Sequence, residues 1–560
     1  MKKDRRKFIQ SLALGGIGLG VADLRTNKTL AENESRPDPQ DQNTKTKMIT
    51  LLQTTDVHCQ IHPHDELFWE DDKVVFRKTA GYSHIATLFN TFRKKNPNTF
   101  IVDTGDMFQG SLLSVKTKGG AYTEILDQLG YDLYLPGNWE VIYLKDRMQK
   151  LLGGLKAPKV CANMYHDLGD GVKGELIFPP YYTWVAEGFK IGFLGYTDHL
   201  VPVRQSPLYS KGIIYSRPEE NLKYYVDLLK QQEQCDYIIV LAHLGLSQQI
   251  HLANLPECEG VNYIFGGDTH ERVRKPIQCR YAKVVEPGAF GSFVGKLQLW
   301  VKDGKLSGEE YELIEVNPKE YKANPSMEGL ISKLEKKYNP EINTIHGYST
   351  QPLYRYFVVE NTIDTLIVDA LMWKAKTDIV LSNGFRFCPP RAADHTGQVP
   401  ITEGYIYDML PVDAVVRTAL ATGQQLKDWL EKELQNVFAK EASQRFGGWV
   451  VKMKGLAMEF KAFEEFGHRV QSLTIGGMPL DMDKEYRITA CEREGDPIDL
   501  LCRIPKVKQP KNLDFTMHQV IRDYVKAFSP VNPKPQGNVK ILDAPQTLLS
   551  QVFGIDYKFV

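Results

Sequence analysis

The sequence carries no net charge: 69 Lys and Arg residues balance 69 Asp and Glu across 560 positions. That balance excludes a protein that works by a broad basic face, as a nucleic-acid or membrane-surface binder does. Any preference for an anion must come from a local site. The eight cysteines include no Cys-x-x-Cys, which excludes the common zinc and redox motifs. Cys258 and Cys279 are a candidate disulfide if the chain is exported, with buried free thiols as the alternative. There are no internal repeats and no low-complexity tracts. The apolar stretch near the N-terminus, Ser11 to Ala22, is too short and too rich in glycine for a comfortable membrane span. Apolar residues make up 42% and charged residues 25%, as in ordinary globular proteins, and 560 residues exceed one domain. Two large domains are therefore expected.

The first 31 residues read as a targeting segment. Asp4-Arg5-Arg6-Lys7-Phe8-Ile9-Gln10 precedes the apolar stretch, in the order of a twin-arginine signal. This places the mature protein in the periplasm or another extracytoplasmic space, with no membrane span once the signal is removed. A basic start on a cytosolic protein is the alternative. Residues 32–47 are polar and read as a linker.

What the sequence does have is a pattern that recurs five times: an apolar run, then a metal-ligand residue. Ile49 to Leu52 leads to Asp56 and His58; Phe100-Ile101-Val102 leads to Asp103-Thr104-Gly105-Asp106. Leu133-Tyr134-Leu135 leads to Gly137-Asn138-Trp139-Glu140. Tyr237 to Ala242 ends in His243, and Tyr263-Ile264-Phe265 leads to Gly266-Gly267-Asp268-Thr269-His270. Each run reads as a buried strand, and α/β folds gather their sites at the carboxyl ends of such strands. Carboxylate with imidazole suits Mn, Fe or Zn. Helical periodicity falls between the runs, at Ile85-Leu88-Phe89-Phe92 and at Leu222-Tyr225-Val226-Leu229, where Pro218 sits well for the helix start. Ile191 to Gly195, Val284 to Gly288 and Val294 to Trp300 read as further strands, so the architecture is α/β and layered.

The series Asp-x-His, Gly-Asp, Gly-Asn-x-Glu, His and Gly-x-Thr-His resembles the calcineurin-like dinuclear metallophosphoesterases. More narrowly it is similar to the bacterial 5'-nucleotidase superfamily, which includes the thiosulfohydrolases of sulfur oxidation. The resemblance implies a four-layer domain over residues 48–322, a β-sandwich flanked by helices. An interdomain helix over 323–346 follows, read from Met327 to Tyr338 with its stop at Asn339-Pro340. A smaller α/β substrate-binding domain spans 347–545, and 546–560 is a tail. In that second domain Asn361 to Lys374 reads as an amphipathic helix. The order Asn383-Gly384-Phe385-Arg386, Gly397 to Pro411 and Thr422-Gly423-Gln424-Gln425-Leu426 is similar to the 5'-nucleotidase C-terminal domain.

By the same resemblance Asp56, His58 and His270 hold one divalent ion, Asn138, His243 and Asp268 hold a second, and Asp106 bridges them. A bridge needs two acceptor oxygens, which Asp106 has, and the neutral Asn138 oxygen leaves its ion electrophilic. Two such ions would supply hydroxide at neutral pH and neutralise charge on a phosphoryl or sulfuryl group. Mn is the expected metal, with Mg, Fe or Zn as alternatives.

Two departures stand out. The family usually carries His after Gly-Asn, and here it is Trp139, whose neutral indole N–H cannot act as a general acid. The thiosulfohydrolases carry Trp there too, after a His where this chain keeps Asn138. The second departure is Asp268, where His is usual; a carboxylate makes the site harder and shifts preference from Zn toward Mn, Mg or Fe. His62 and His64, on the loop after His58, are candidates for the missing acid, with an exposed polar loop as the alternative. In the second domain Arg386 is placed for an anionic oxygen pair and a catalytic role beside Asp106 and Asn138, with Arg391 as its assistant. Trp449 is a candidate stacking ring, with a core Trp as the alternative. Where nucleotidases place a second ring the sequence reads Glu492-Arg493-Glu494.

The expected activity is that of an exported hydrolase of a phosphomonoester, a nucleotide or a relative. The alternatives are a thiosulfohydrolase-like enzyme, whose substrate can be protein-bound, and a catalytically silent metal- or ligand-binding protein. The partner in the first case is a small anion and not a nucleic acid.

Overall fold

The computed structural model describes residues 46–382, 387–445 and 447–546. The signal segment, most of the linker, Asn383 to Arg386 and the tail beyond 546 lie outside the described residues.

Parallel pairing of the apolar runs builds the first domain. Thr46–Thr54, Thr99–Asp103 and Leu133–Tyr134 run parallel, and the antiparallel strands Phe293–Lys302 and Lys305–Glu315 complete a five-stranded sheet. A six-stranded sheet holds Phe189–Thr197, Tyr237–His243, Tyr263–Gly266 and Lys283–Val285 in parallel, with Tyr181–Ala186 and Ile277–Gln278 at its edges. Tyr237–His243 is buried at every position, which is why it reads as an unbroken apolar run instead of an alternating one. The two sheets face each other. Phe100 of the first stacks on Phe193 of the second, with ring centroids 4.9 Å apart, and Gln53 Nε2 donates across the sandwich to Gly266 O at 2.8 Å. Helices cover the outside: Tyr82–Lys95 buries Ile85, Leu88 and Phe89, and its last turn carries Arg93, Lys94 and Lys95, which favour a helix C-terminus. Leu222–Gln231 buries Leu222, Val226 and Leu229. Pro218 opens a separate 3₁₀ turn, Pro218–Glu220, instead of that helix.

The interdomain helix spans Pro325–Glu335, where the periodicity suggested Met327 to Tyr338. It is capped by the Asn324 side chain, which accepts from Met327 N. Asn339-Pro340 begins a new short helix, Asn339–Ile342, instead of only ending the old one, because proline needs no N–H donor in a first turn.

The second domain has a five-stranded sheet ordered Lys452–Lys454, Ile379–Ser382, Glu485–Cys491, Val415–Thr422, Lys508–Thr516. Helices Thr362–Ala375, Gly423–Phe438 and Met517–Phe528 pack on it; the first is capped by Asn361, the second by a reciprocal Thr422–Gln425 box. A four-stranded sheet of Met478–Pro479, Val470–Ile475, Leu456–Phe460 and Val539–Ile541 completes it.

The domains meet beside the strand ends of the first. Phe387 of the second domain sits edge-on to His58, centroids 4.4 Å apart, and 5.6 Å from Phe290. Arg272 is buried at the same seam. It donates to Leu67 O and pairs with Glu66 Oε1 at 2.6 Å, with its guanidinium 5.0 Å from the Tyr356 ring of the second domain. No helix among the described residues is long and apolar enough to cross a membrane.

Candidate metal centre

The chain turns sharply where each strand hands its ligand residue to the centre. Asp56, His58, Asp106, Asp268 and His270 all have left-handed backbones, with φ between 48° and 87°. Such a conformation costs a non-glycine residue about 1–2 kcal/mol, and it persists here because hydrogen bonds between the loops fix it. Asp56 N donates to Gly105 O, His58 N to Asp106 O and Phe290 N to Asp56 O. The glycine of Gly-Asn is a packing requirement: a Cβ at Gly137 would lie 2.3 Å from Asp106 Oδ1. Glu140, the acid of the same motif, is buried and accepts from the backbone N–H groups of Gly137, Asp106 and Met107 at 2.6, 3.1 and 2.7 Å. It ties two of the ligand loops together. Burial and the Asp106 carboxylate push it up to about 8, against three N–H donors that favour its ionised form.

Three imidazoles converge on one carboxylate oxygen. Nε2 of His58, His243 and His270 lie 3.8, 3.8 and 3.4 Å from Asp56 Oδ1. Asp106 Oδ2 is 3.6 Å from His58 Nε2 and 3.3 Å from His243 Nε2. Asp106 Oδ1 is turned away and accepts the Trp139 backbone N–H at 2.8 Å. Two of the rings are oriented from behind: Nδ1 of His243 lies 2.7 Å from Thr104 O, and Nδ1 of His58 lies 3.1 Å from Gln109 O. That arrangement puts the proton on Nδ1 and a lone pair on the nitrogen facing the centre, as metal-binding histidines need. Burial pulls His58 down to about 4, toward its neutral form, despite the nearby carboxylates. Burial acts to raise Asp56, but the His243 and His270 rings outweigh it and hold the carboxyl below its usual range.

Asn138 and Asp268 have other partners. Asn138 Nδ2 donates to Asp268 Oδ1 at 2.6 Å, and Asn138 Oδ1 accepts from Gln205 Nε2 at 3.1 Å. Asp268 accepts from Arg204 Nη2 at both oxygens, 3.0 and 3.1 Å, and Arg204 Nη1 donates to Asp198 Oδ2 at 2.8 Å.

The remaining expected site residues are dispersed. Arg386 lies outside the described residues. Arg391 lies over the Tyr405 ring at 4.0 Å, with Nη2 3.7 Å from Asp408, on the wall of an interdomain cleft of about 510 Å³ that also takes in His62, Tyr122 and Glu335. Trp449 corrects the stacking reading. It is a core residue, 5% exposed, and its indole N–H donates to Arg355 O, so neither face is open to a base. His62 pairs with Glu335 at 2.8 Å, a bond that raises its pKa, and His64 lies against Glu66 and Ser292. Sequence reasoning missed Asp198, Arg204 and Gln205. Asp198 follows the strand Phe189–Thr197 directly, so the same strand-end pattern would have flagged it.

The three-histidine cluster fits a divalent cation on its own evidence. Asp56 Oδ1 and His243 Nε2 are buried without a hydrogen-bond partner among the described residues, and buried polar atoms in folded proteins rarely lack one. Asp56, His58 and His270, and again Asp56, Asp106 and His243, present ligand atoms within 4.8 Å of one another. The Asn138–Asp268 side does not fit in the same way, because its ligand atoms already have donors.

Strand ends that gather carboxylates and imidazoles on a layered sandwich, followed by a second α/β domain, are the arrangement of a metal-dependent hydrolase of ester bonds. The chain belongs to the 5'-nucleotidase superfamily: residues 49–272 match the calcineurin-like phosphoesterase family, and residues 345–491 match the 5'-nucleotidase C-terminal domain. It is 23% identical over 553 residues to the 5'-nucleotidase of Vibrio cholerae, covering 90% of this chain and 95% of that protein. It is also 23% identical to the trifunctional nucleotide phosphoesterase protein YfkN of Bacillus subtilis, covering 94% of this chain but only 37% of that longer protein. Among solved structures it is similar to the sulfate thiohydrolase SoxB of Thermus thermophilus, with a TM-score of 0.79, 20% identity and coverage of 90% and 98%. At that identity the likeness shows the fold.

Proposed function

We propose that this chain hydrolyses a phosphomonoester outside the cytoplasm, at a divalent-metal centre formed by Asp56, His58, Asp106, His243 and His270. The observation that carries this reading is the convergence of three Nε2 atoms on Asp56 Oδ1, with that oxygen and His243 Nε2 buried and without a hydrogen-bond partner among the described residues. A divalent ion bound there supplies Lewis-acid stabilisation for the charge on a transferring phosphoryl group. The chain's own residues prepare that place. Thr104 O and Gln109 O keep His243 and His58 in the tautomer that faces the centre. The Trp139 N–H holds Asp106 so that Oδ2 points at the histidines. Phe387 and Phe290 pack against His58 and His270 and exclude water from their outer faces, which strengthens electrostatic interactions inside. The twin-arginine-type N-terminus supports export, and three imidazoles with two carboxylates suit Mn, Fe or Zn, of which Mn is the metal to load first.

A second reading is a sulfur-transferring hydrolase. Trp139 stands where phosphatases of this superfamily carry His, and Phe387 puts an aromatic ring on the ligand His58. One screen separates the two. Mn-loaded protein is assayed against nucleotides, sugar phosphates, aryl phosphates and S-sulfonated thiols, with chelator-treated protein as control. Turnover of phosphate esters that disappears with the metal is the expected result; turnover of the S-sulfonates alone selects the second reading.

A further inference from the structure

Six strand ends reach the centre, and the sixth carries no ligand of the family series. It ends in Asp198, after Phe189–Thr197. Asp198 and Asp268 are both buried, and they hold Arg204 between them through Nη1 on one side and Nη2 on the other, at 2.8 to 3.1 Å. Arg204 does not lose its proton in a protein, so it brings a permanent positive charge to the carboxylate that would serve a second ion. Asn138 is committed in the same network, giving its amide to Asp268 and taking one from Gln205, the neighbour of Arg204. A divalent ion seeking Asn138 and Asp268 would meet a like charge at contact distance and would have to displace both donors. On the histidine side the opposite holds, because Asp56 Oδ1 and His243 Nε2 are buried with no hydrogen-bond partner among the described residues.

The Arg204 loop is also fixed from outside. Ser206 Oγ donates to Glu494 O at 2.6 Å, and Arg493 donates to Val203 O. Arg493 is itself held by Asp496 at 2.8 and 2.9 Å. Gly495 lies so close to Pro207 and Leu208 that a Cβ there would come within 2.9 Å of Leu208 Cγ. The segment that replaces the second stacking ring of the nucleotidases is thus the one that clamps the Arg204 loop.

We propose that the Asp198–Arg204–Asp268 bridge, latched by residues 493–496 of the second domain, takes the place of the second metal ion, so that this centre binds one divalent ion at its three histidines. The inference rests on the metal-centre reading above and goes beyond it in stoichiometry and in the role of Arg204, a positioning residue. In the expected one-ion state, Asp56 and Asp106 both face the same ion through Oδ1 and Oδ2, and no carboxylate bridges two.

The test is a metal count with a spectroscopic readout. Full-length protein is stripped, reloaded with Mn(II) alone and desalted, then measured by elemental analysis and electron paramagnetic resonance. Wild type should retain about one Mn per chain with an uncoupled signal. The double variant Arg204→Met, Asp268→His, which removes the guanidinium and supplies an imidazole, should retain about two with an exchange-coupled signal. Arg493→Ala, remote from the ligands, should raise occupancy above that of wild type. Two coupled ions in wild type would overturn the inference and leave the metal-centre reading standing. One ion in wild type and still one in the folded double variant would remove Arg204 as the cause, and unchanged occupancy in Arg493→Ala would remove the latch. No retained ion in wild type would sink both this inference and the centre on which it rests.

Discussion

The two sides of the centre are built from the same kinds of residue and treated in opposite ways. On one side Asp56 Oδ1 and His243 Nε2 are buried with no hydrogen-bond partner among the described residues. On the other, Asp268 and Asn138 are enclosed by Arg204 and Gln205. A buried polar atom left without a partner costs about 1–3 kcal/mol, so a fold keeps several together only where something else fills them. A buried carboxylate that has already found a guanidinium is a structural ion pair. The difference separates a cluster whose donor atoms suit a cation from one whose carboxylate is already neutralised by a guanidinium, although both are strand-end clusters in sequence.

The largest effect should come from the open side. Asp106→Ala removes the carboxylate oxygen nearest Nε2 of His243 and of His58, and should lower kcat/KM by on the order of 10³, ~4 kcal/mol of transition-state stabilisation, together with the bound metal. Full metal content in that variant, measured by elemental analysis, would contradict the assignment.

A second paired cluster extends the comparison to pH. Glu66 is buried against Arg272. Burial acts to raise its pKa, but Arg272, His64 and Ser292 outweigh it and hold the carboxyl at about 2, below the ordinary 4.5. A carboxyl depressed by folding stabilises the native state above its unfolded pKa. That stability is lost as pH falls from about 4.5 toward 2. The contribution is on the order of 3 kcal/mol. Chemical denaturation of wild type and Glu66→Gln at pH 7 and pH 3 should therefore show a gap at pH 7 that narrows at pH 3. A gap that stays constant would mean that the shape of Glu66 matters and its charge does not.

Asp268→Asn probes the closed side. It takes away one of the two carboxylates on Arg204, so unfolding free energy should fall by about 2 kcal/mol, less than the full cost of stripping a buried pair because the amide still offers an oxygen. Metal retention and hydrolysis should change by less than about tenfold. A collapse in metal affinity equal to that of Asp106→Ala would make Asp268 a ligand after all.

The strand-end positions of the candidate ligands were legible because parallel strands are continuous apolar runs, and each run points at the residue that follows it. The first domain was legible for the same reason, as was the helix at Tyr82–Lys95, whose buried stripe is local; the second domain, whose sheet is mostly antiparallel, was legible from the order of its motifs. Arg204 was not legible. Its meaning depends on Asp268, 64 residues away, and on Glu494, 288 residues from Ser206. No short-range period carries such contacts. Trp449 reads identically in sequence as a stacking platform or as core; the strand neighbours that bury it come from elsewhere in the chain. Glu140 was visible in its motif, but its three backbone donors exist only once two loops are brought together.

The smallest expected effect concerns the base of a nucleotide substrate. Selectivity for a base needs ring faces on which to stack it, each worth ~1–3 kcal/mol. Neither place that the sequence suggested offers one. Trp449 is buried in the second domain's core, and residues 492–494 have other partners: Glu492 holds Arg417 and Asn512 within its own domain, while Arg493 donates to Val203 O and Glu494 O accepts from Ser206. The second domain thus uses that segment to hold the Arg204 loop instead of a ligand. AMP, GMP, CMP and a plain sugar phosphate should accordingly differ by no more than about tenfold in kcat/KM, ~1.4 kcal/mol. Trp139→His, which supplies the imidazole that the usual mechanism employs, should raise phosphomonoesterase activity without creating a base preference, since it lies on the ligand loop and not on the wall. A strong preference for one nucleotide in wild type would mean that a ring elsewhere holds the base. Loss of activity in Trp139→His would mean that the indole shapes the pocket for a different leaving group, and would favour the S-sulfonate reading.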